Sequence, residues 1–213
     1  MKPVKNSLIR NLILVTTILA LELLISAPAF AHHPMGGATP TSFFEGIMSG
    51  LGHPVIGLDH FAFVVASGLI AVNVVRGLLI PVAFIFATAV GTGIHLQGFD
   101  LPFPEIVIAL SVIVFGFLLA VKKGKRKYLN SAIIILLSAI AGIFHGHAYG
   151  EGIFGAESTP LVAYLIGFTA IQLVISICSY LIARQTSFKY LTNLLGYAIA
   201  AIGLAFFSSA IMN

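Results

Sequence analysis

Six long apolar runs constrain the fold of this sequence more than any other feature. They cover residues 58–75, 77–96, 103–121, 129–148, 160–183 and 190–212. Each is long enough to cross a bilayer as a helix, which takes roughly 17–25 residues. A helix is the expected form, because a single segment in lipid must satisfy its own backbone hydrogen bonds. The sequence therefore predicts an all-α membrane protein, built as a six-transmembrane helix bundle.

The composition supports this prediction and excludes several functions. Apolar residues make up 59% of the chain and charged residues only 8%, compared with about 25% charged residues in a typical soluble domain. The net charge is +4, but the basic residues stand in short clusters between apolar runs, which argues against a nucleic-acid partner. Neither a GxxxxGK[ST] nor a GxGxxG motif occurs, so no nucleotide is expected to bind.

The N-terminus has the three parts of a cleavable signal peptide, which we predict over residues 1–31. Basic residues precede a mostly apolar stretch at 12–25, and an Ala-Phe-Ala cleavage site ends at Ala31. The alternative is that this stretch is retained as a further transmembrane helix. Cleavage would leave residues 32–213 as a single membrane domain facing the lipid bilayer.

The remaining basic residues predict how this domain is oriented. Outside the signal peptide they are Arg76, Lys122, Lys123, Lys125, Arg126, Lys127, Arg184 and Lys189. All of them follow the first, third or fifth apolar run, and the positive-inside rule places those connections in the cytoplasm. We therefore predict a multi-pass protein of the bacterial inner (plasma) membrane, with the mature N- and C-termini both extracytoplasmic.

The histidines are the leading candidates for functional residues, because all seven fall on the extracytoplasmic side of this topology. The candidate metal-binding residues, including the nearby acids, are His32, His33, His53, Asp59, His60, His95, His145, His147 and Glu151. Ionisable residues near membrane depth are costly and usually line an ion pathway. Imidazole and carboxylate together suit divalent transition metals. A divalent metal ion is therefore the expected partner, as transported substrate and not as a resident cofactor.

The stretch from His53 to His60 is expected to be broken backbone, because it contains Pro54 and Gly57. The break would let His53 fold back towards Asp59 and His60. A broken helix with ligands at its end is a recurring way to hold an ion in a transporter. Residues 42–51, just before it, read as a short amphipathic segment that cannot span a bilayer alone.

His145 and His147 present a separate geometric question. Two residues apart on a regular helix, their side chains point about 200° from each other and cannot both bind one metal. Either Gly146 distorts the turn, or one histidine is a ligand and the other a relay. His145 is the expected ligand, with Glu151 collecting cations nearby.

Two motifs resemble those of a known family. HPVIGLDH at residues 53–60 resembles the HPxxGxDH signature of the HupE/UreJ family of nickel and cobalt permeases, and FHGHA at 144–148, followed by an acid, resembles its second motif. The resemblance implies six spans, a signal peptide and secondary uptake of nickel, with cobalt as the next candidate. The family pattern carries over to His53, Asp59, His60, His145 and Glu151, with His147 beside them.

Two functions remain open from the residues themselves. The first is a metal permease that captures an ion with His32 and His33 and passes it to Asp59 and His60. The alternative is an intramembrane zinc-dependent hydrolase, in which histidines and Asp59 would activate water at the metal. The motif resemblance favours the permease, which is not an enzyme. The sequence leaves the choice among nickel, cobalt and zinc open, as well as the driving force and whether the protein is a homo-oligomer.

Overall fold

The computed structural model describes residues 38–120, 130–185 and 191–212, and this part of the chain is helical without any strand. Its helices are α1 Phe43–Ile56, α2 Leu58–Ala71, α3 Leu79–Leu96, α4 Pro104–Ala120, α5 Ser131–Glu151, α6 Ser158–Arg184 and α7 Leu191–Met212. The predicted signal peptide, with His32 and His33, lies outside the described residues. The all-α prediction is confirmed for the part described.

The first two helices form one apolar segment broken at Gly57. They bend by 78° at this residue, which has extended backbone angles of φ −70° and ψ 101°. Each helix has 14 residues, so each rises about 21 Å at 1.5 Å per residue, less than the roughly 30 Å of a hydrocarbon core. Neither helix can span a bilayer alone.

The contacts with α6 show that the two halves continue in one direction. A Cβ at Gly46 would meet Pro160, one at Gly50 would meet Tyr164, and one at Gly68 in α2 would meet Ser176. As the chain advances through α1 and α2, its neighbours therefore advance along α6. The α1–α2 pair runs as a broken span does and does not turn back on itself.

This arrangement bears on three predictions. The segment expected to stop at residue 51 continues as helix to Ile56, so Pro54 lies inside α1 and the backbone breaks only at Gly57. The first span predicted, at 58–75, corresponds to α2, the second helix of the broken pair. Helix length and apolarity identify four candidate spans, or five with the broken pair, while α4 has 17 residues and falls short of that length. The count of six spans is not confirmed.

Small residues let neighbouring helices approach closely. Gly142 and Gly146 on α5 lie against the backbone of Phe84 and Thr88 on α3, so the GxxxG spacing builds a tight parallel pair, as expected for membrane helices. Three helix pairs hold the bundle together in this way: α3 with α5, α4 with α7, and α1 with α6. The tight α3–α5 pair fixes the ends of these two helices beside each other.

The exterior of the bundle is apolar, and its interior contains polar groups. Phe86, Phe117 and Ile177 are among many large apolar side chains that face outward. His145 and Gln172, in contrast, are fully buried. This inside-out distribution of polarity is typical of a bundle surrounded by lipid. With its apolar helices, the chain is a multi-pass membrane protein.

Candidate metal site

His53 lies in the last turn of α1 and is oriented by a tyrosine on α6. The hydroxyl of Tyr164 donates to the carbonyl oxygen of Tyr149 at 2.8 Å, and His53 Nδ1 lies 2.7 Å from the same hydroxyl. Since that hydroxyl proton is committed to the carbonyl, His53 Nδ1 must be the donor. The lone pair of this imidazole is then at Nε2, the nitrogen that can bind a metal.

Asp59 and His60 follow the break and begin α2. Both are buried, with 7% and 2% of their surfaces exposed. The Oδ1 atom of Asp59 accepts a hydrogen bond from the backbone N–H of His60 at 2.8 Å. Asp59 thus lies in the first turn of α2, the end of a helix at which acidic side chains are favoured. The break at Gly57 is thus followed by an acidic side chain that lies inside the bundle.

His60 is joined to His145 across the bundle. Their Nδ1 atoms are 2.7 Å apart, and His145 Nε2 lies 3.1 Å from the hydroxyl of Ser111 on α4. The Ser111 hydroxyl donates to the carbonyl of Ile108 at 2.6 Å, so it accepts from His145 Nε2–H. His145 Nδ1 therefore carries a lone pair and accepts from His60 Nδ1–H. By this chain of bonds, His60 also presents the lone pair of Nε2.

Aromatic rings surround these imidazoles. The Tyr149 ring contacts both His53 and His60, with centroids 4.9 Å and 4.7 Å away. Its buried hydroxyl has no hydrogen-bond partner among the described residues. The His53 and His60 rings themselves are 5.7 Å apart, so the break does bring these two histidines together. We name His53, Asp59, His60 and His145 the inner cluster.

Three phenylalanines close the bundle beneath the inner cluster. The Phe63 ring lies 5.0 Å from the His145 ring and 4.5 Å from both Phe84 and Phe115. All three are at most 1% exposed. The inner cluster is therefore bordered by three packed aromatic side chains, which we name the phenylalanine layer.

His147 faces away from the inner cluster, because α5 continues as helix through both histidines. Its Nε2 lies 3.2 Å from His95 Nδ1 at the end of α3. The predicted divergence of His145 and His147 is confirmed, and Gly146 does not distort the helix to bring them together. The structure thus separates the histidines into two groups on opposite faces of α5.

Among the described residues, one group of three possible ligands has its donor atoms within 4.8 Å of one another: His95, Asp100 and His147. The sequence analysis missed Asp100, which is exposed in the connection between α3 and α4. Its position five residues after His95, with a glycine between them, was the sequence signal that could have indicated a turn back towards His95. Glu151 is exposed at the last residue of α5. No three residues of the inner cluster have all their donor atoms this close to one another.

Two residues that orient the histidines were also not predicted from the sequence. Tyr164 and Ser111 fix the tautomers of His53 and His145, respectively. No local sequence signal identifies them, because each lies on a helix distant along the chain from the histidine that it contacts.

The family described as HupE / UreJ protein matches residues 19–206. Protein HupE of Rhizobium leguminosarum bv. viciae is 29% identical over 196 residues, which is 89% of this chain and 94% of that protein. No solved structure matches the chain. With two histidine motifs inside the matched range and the match extending over most of its length, the chain belongs to the HupE/UreJ family.

Proposed function

We propose that this protein is a secondary permease that takes up divalent transition-metal ions, nickel first and cobalt next, from the extracytoplasmic side. Its family is associated with nickel and cobalt transport. The observation that carries the proposal is the inner cluster, which sets buried histidines and an aspartate at the break of a broken span. Broken helices with ligands at the break are a recurring way in which transporters hold an ion at membrane depth.

We propose His53, Asp59 and His60 as the direct ligands. The hydrogen-bond network assigns a lone pair to Nε2 in both histidines, and the carboxylate of Asp59 adds the negative charge that attracts a divalent cation. His145 holds the tautomer of His60 in this conformation. It becomes a fourth ligand when the bond between the two Nδ1 atoms opens and its lone pair is released.

The inward path would cross the phenylalanine layer. On α6, Gln172 and Ser176 lie one turn apart, and the Gln172 Oε1 and Ser176 Oγ atoms have no hydrogen-bond partner among the described residues. These buried oxygens could replace part of the hydration shell of a passing ion. The present conformation is closed at the aromatic rings, so transport would require these helices to separate there.

The remaining parts of the proposal come from the sequence. His32 and His33 would capture ions before they reach the bundle, and Glu151, exposed at the end of α5, would raise the local cation concentration. The location is the bacterial inner membrane with both mature termini outside. In that orientation α4, which packs along α7, would serve as a sixth and shorter span. The zinc hydrolase alternative is not favoured, because the family match is to a transport family.

The test is accumulation of radiolabelled nickel by cells expressing the chain, with an empty-vector control. We expect uptake above the control, suppressed by excess cobalt more than by excess zinc. Membrane levels of the protein would be measured by an epitope tag in every case. Uptake equal to the empty vector, with the protein present in the membrane, would contradict the proposal.

A further inference from the structure

His95, Asp100 and His147 have the spacing of a preformed metal site. The His95 Nδ1 and His147 Nε2 atoms are 3.2 Å apart. Two nitrogens bound to one metal at about 2.1 Å, with bond angles of about 90–110°, lie about 3.0–3.4 Å apart. The pair therefore needs almost no movement to bind one ion. The carboxylate of Asp100 is within 4.8 Å of both ligand nitrogens and provides the third ligand.

The hydrogen bonds of His147 do not explain it as a structural residue. The N–H of Leu101 donates to His147 Nε2 at 3.3 Å, while the carbonyl oxygen of Phe99 lies 3.1 Å from the same atom. One nitrogen of a neutral imidazole cannot be acceptor and donor at once. His147 Nδ1 is buried and has no hydrogen-bond partner among the described residues. Each neutral tautomer therefore leaves Nδ1 unsatisfied, and Nε2 can satisfy only one of the two backbone groups that approach it.

The three residues differ in how much of each is exposed to solvent. Asp100 is exposed, His95 is half-buried and His147 is buried. The connection between α3 and α4 turns at Gly98, whose φ of +78° favours glycine, and this turn brings Asp100 back over the end of α3. An ion from solution would thus meet a carboxylate first and a buried imidazole last.

α5 connects this group to the inner cluster. His147 and His145 are two residues apart on one helix, which corresponds to about 3 Å along its axis, and they contact different histidines on its two faces. A metal bound by His95, Asp100 and His147 would therefore sit beside the inner cluster, towards the ends of α3 and α5.

We propose that His95, Asp100 and His147 form a second metal-binding site, which loads the inner cluster with its ion. Two imidazoles and one carboxylate suit nickel, cobalt, zinc or copper, whereas magnesium and calcium prefer oxygen ligands alone. The loading role rests on the proposed permease function; the binding of a metal by these three residues does not.

The test is equilibrium dialysis of the purified full-length protein against ⁶³Ni²⁺, in a His32→Ala, His33→Ala background that removes binding by the N-terminal pair. We expect the Asp100→Asn variant to bind one nickel ion fewer per chain. Glu105→Gln is the matched control, because it makes the same change at an exposed acid in the first turn of α4, and it should bind as many ions as the parent.

A second variant disturbs the site without removing a ligand. A Cβ at Gly150 would lie 2.6 Å from His95 Cβ and 2.9 Å from His95 Cγ, so Gly150→Ala should displace the ring. Gly93→Ala is its control, because a Cβ there meets nothing within 4 Å. We expect Gly150→Ala to lose the same nickel ion as Asp100→Asn, and Gly93→Ala to keep it.

Nickel uptake by the same variants separates the two proposals. Asp100→Asn should raise the half-saturating nickel concentration by about ten-fold or more, as losses around a metal site do, while the rate at saturating nickel is retained. If both Asp100→Asn and Gly150→Ala bind as many nickel ions per chain as the parent, the second site is overturned and the proposed permease function is unaffected. If no variant and no parent takes up nickel, yet Asp100→Asn still loses one ion, the permease fails and the second site stands.

Discussion

The two histidine groups of this protein differ in how ready they are to bind a metal. In the inner cluster, the Nδ1 atoms of His60 and His145 are 2.7 Å apart and are joined by a hydrogen bond that His60 donates. In the outer group of His95, Asp100 and His147, the two histidine nitrogens are 3.2 Å apart, a distance that suits a long hydrogen bond and also two ligands of one metal. The inner cluster is buried and must rearrange, whereas the outer group opens to solvent.

This difference suggests that the two groups have separate roles in binding the ion. A site that is already assembled and partly exposed can capture an ion quickly. A site that must break an internal hydrogen bond binds an ion only when the new metal–ligand bonds offset the free energy lost with that hydrogen bond. Such a site favours the ion that best fits its geometry. Variants that disturb one histidine group at a time would therefore show which group limits transport.

The largest effect is expected from His60→Ala. His60 contributes a proposed ligand and also the hydrogen bond to His145, so its loss removes two functions at once. Nickel uptake should fall by more than about 100-fold, since the loss of an outer partner alone costs about 10–100-fold. Uptake of ⁶³Ni²⁺ normalised to membrane protein measures this, and uptake near the parental rate would show that the inner cluster is not on the path.

Gly57→Ala should have the next largest effect. The backbone angles of Gly57 are open to alanine, but a Cβ there would lie 2.5 Å from His60 Cδ2. The methyl group should therefore push the His60 ring out of place while every ligand is retained. We expect uptake to fall about ten-fold, measured against Gly93→Ala. If the two alanine variants transport equally well, the geometry at the break is not critical.

Tyr164→Phe tests the orientation of His53 with a smaller change. Removing the hydroxyl leaves His53 Nδ1 and the Tyr149 carbonyl without the contact that joins them, which should destabilise the fold by about 1–3 kcal/mol. We also expect weaker nickel binding, measured by dialysis. Tyr180→Phe, on the same helix beside Arg184, is the control. Equal nickel affinity in both variants would argue against His53 as a ligand.

Ser111→Ala should give the smallest effect. Ser111 accepts from His145 and so fixes the position of its proton, but Ser111 lies outside the proposed ligand set. We expect the half-saturating nickel concentration to rise by a few-fold, about 1 kcal/mol. Ser138→Ala, which removes a buried hydroxyl bonded to Ile80, should leave it unchanged. A loss as large as that of His60→Ala would give Ser111 a direct role in binding.

Much of this architecture was predictable from the sequence, for specific physical reasons. Apolar length predicts membrane helices because lipid forces the backbone into helix, and Gly57 predicts a break. The position of the break was less certain, since Pro54 is tolerated within the last turn of α1. The divergence of His145 and His147 followed directly from the geometry of a helix.

The contacts between distant helices were not predictable. The proximity of His60 to His145 depends on how α2 packs near α5, and that packing depends on glycine contacts spread over the whole chain. Asp100 was missed because it lies in a short connection and stands near His147 only after the chain has folded. A single sequence provides the local motif but not the residues that complete it from elsewhere.

The most direct test of the central claim is transport by the purified protein in liposomes. A nickel-quenched dye inside the vesicles would report entry, and Asp59→Asn would be compared with Glu105→Gln, which replaces an exposed acid in the first turn of α4 by its amide. The account predicts rapid quenching with the parent and with Glu105→Gln, and none above empty vesicles with Asp59→Asn. Equal quenching with all three proteins would contradict it, because nickel would then cross without the carboxylate at the break of the span.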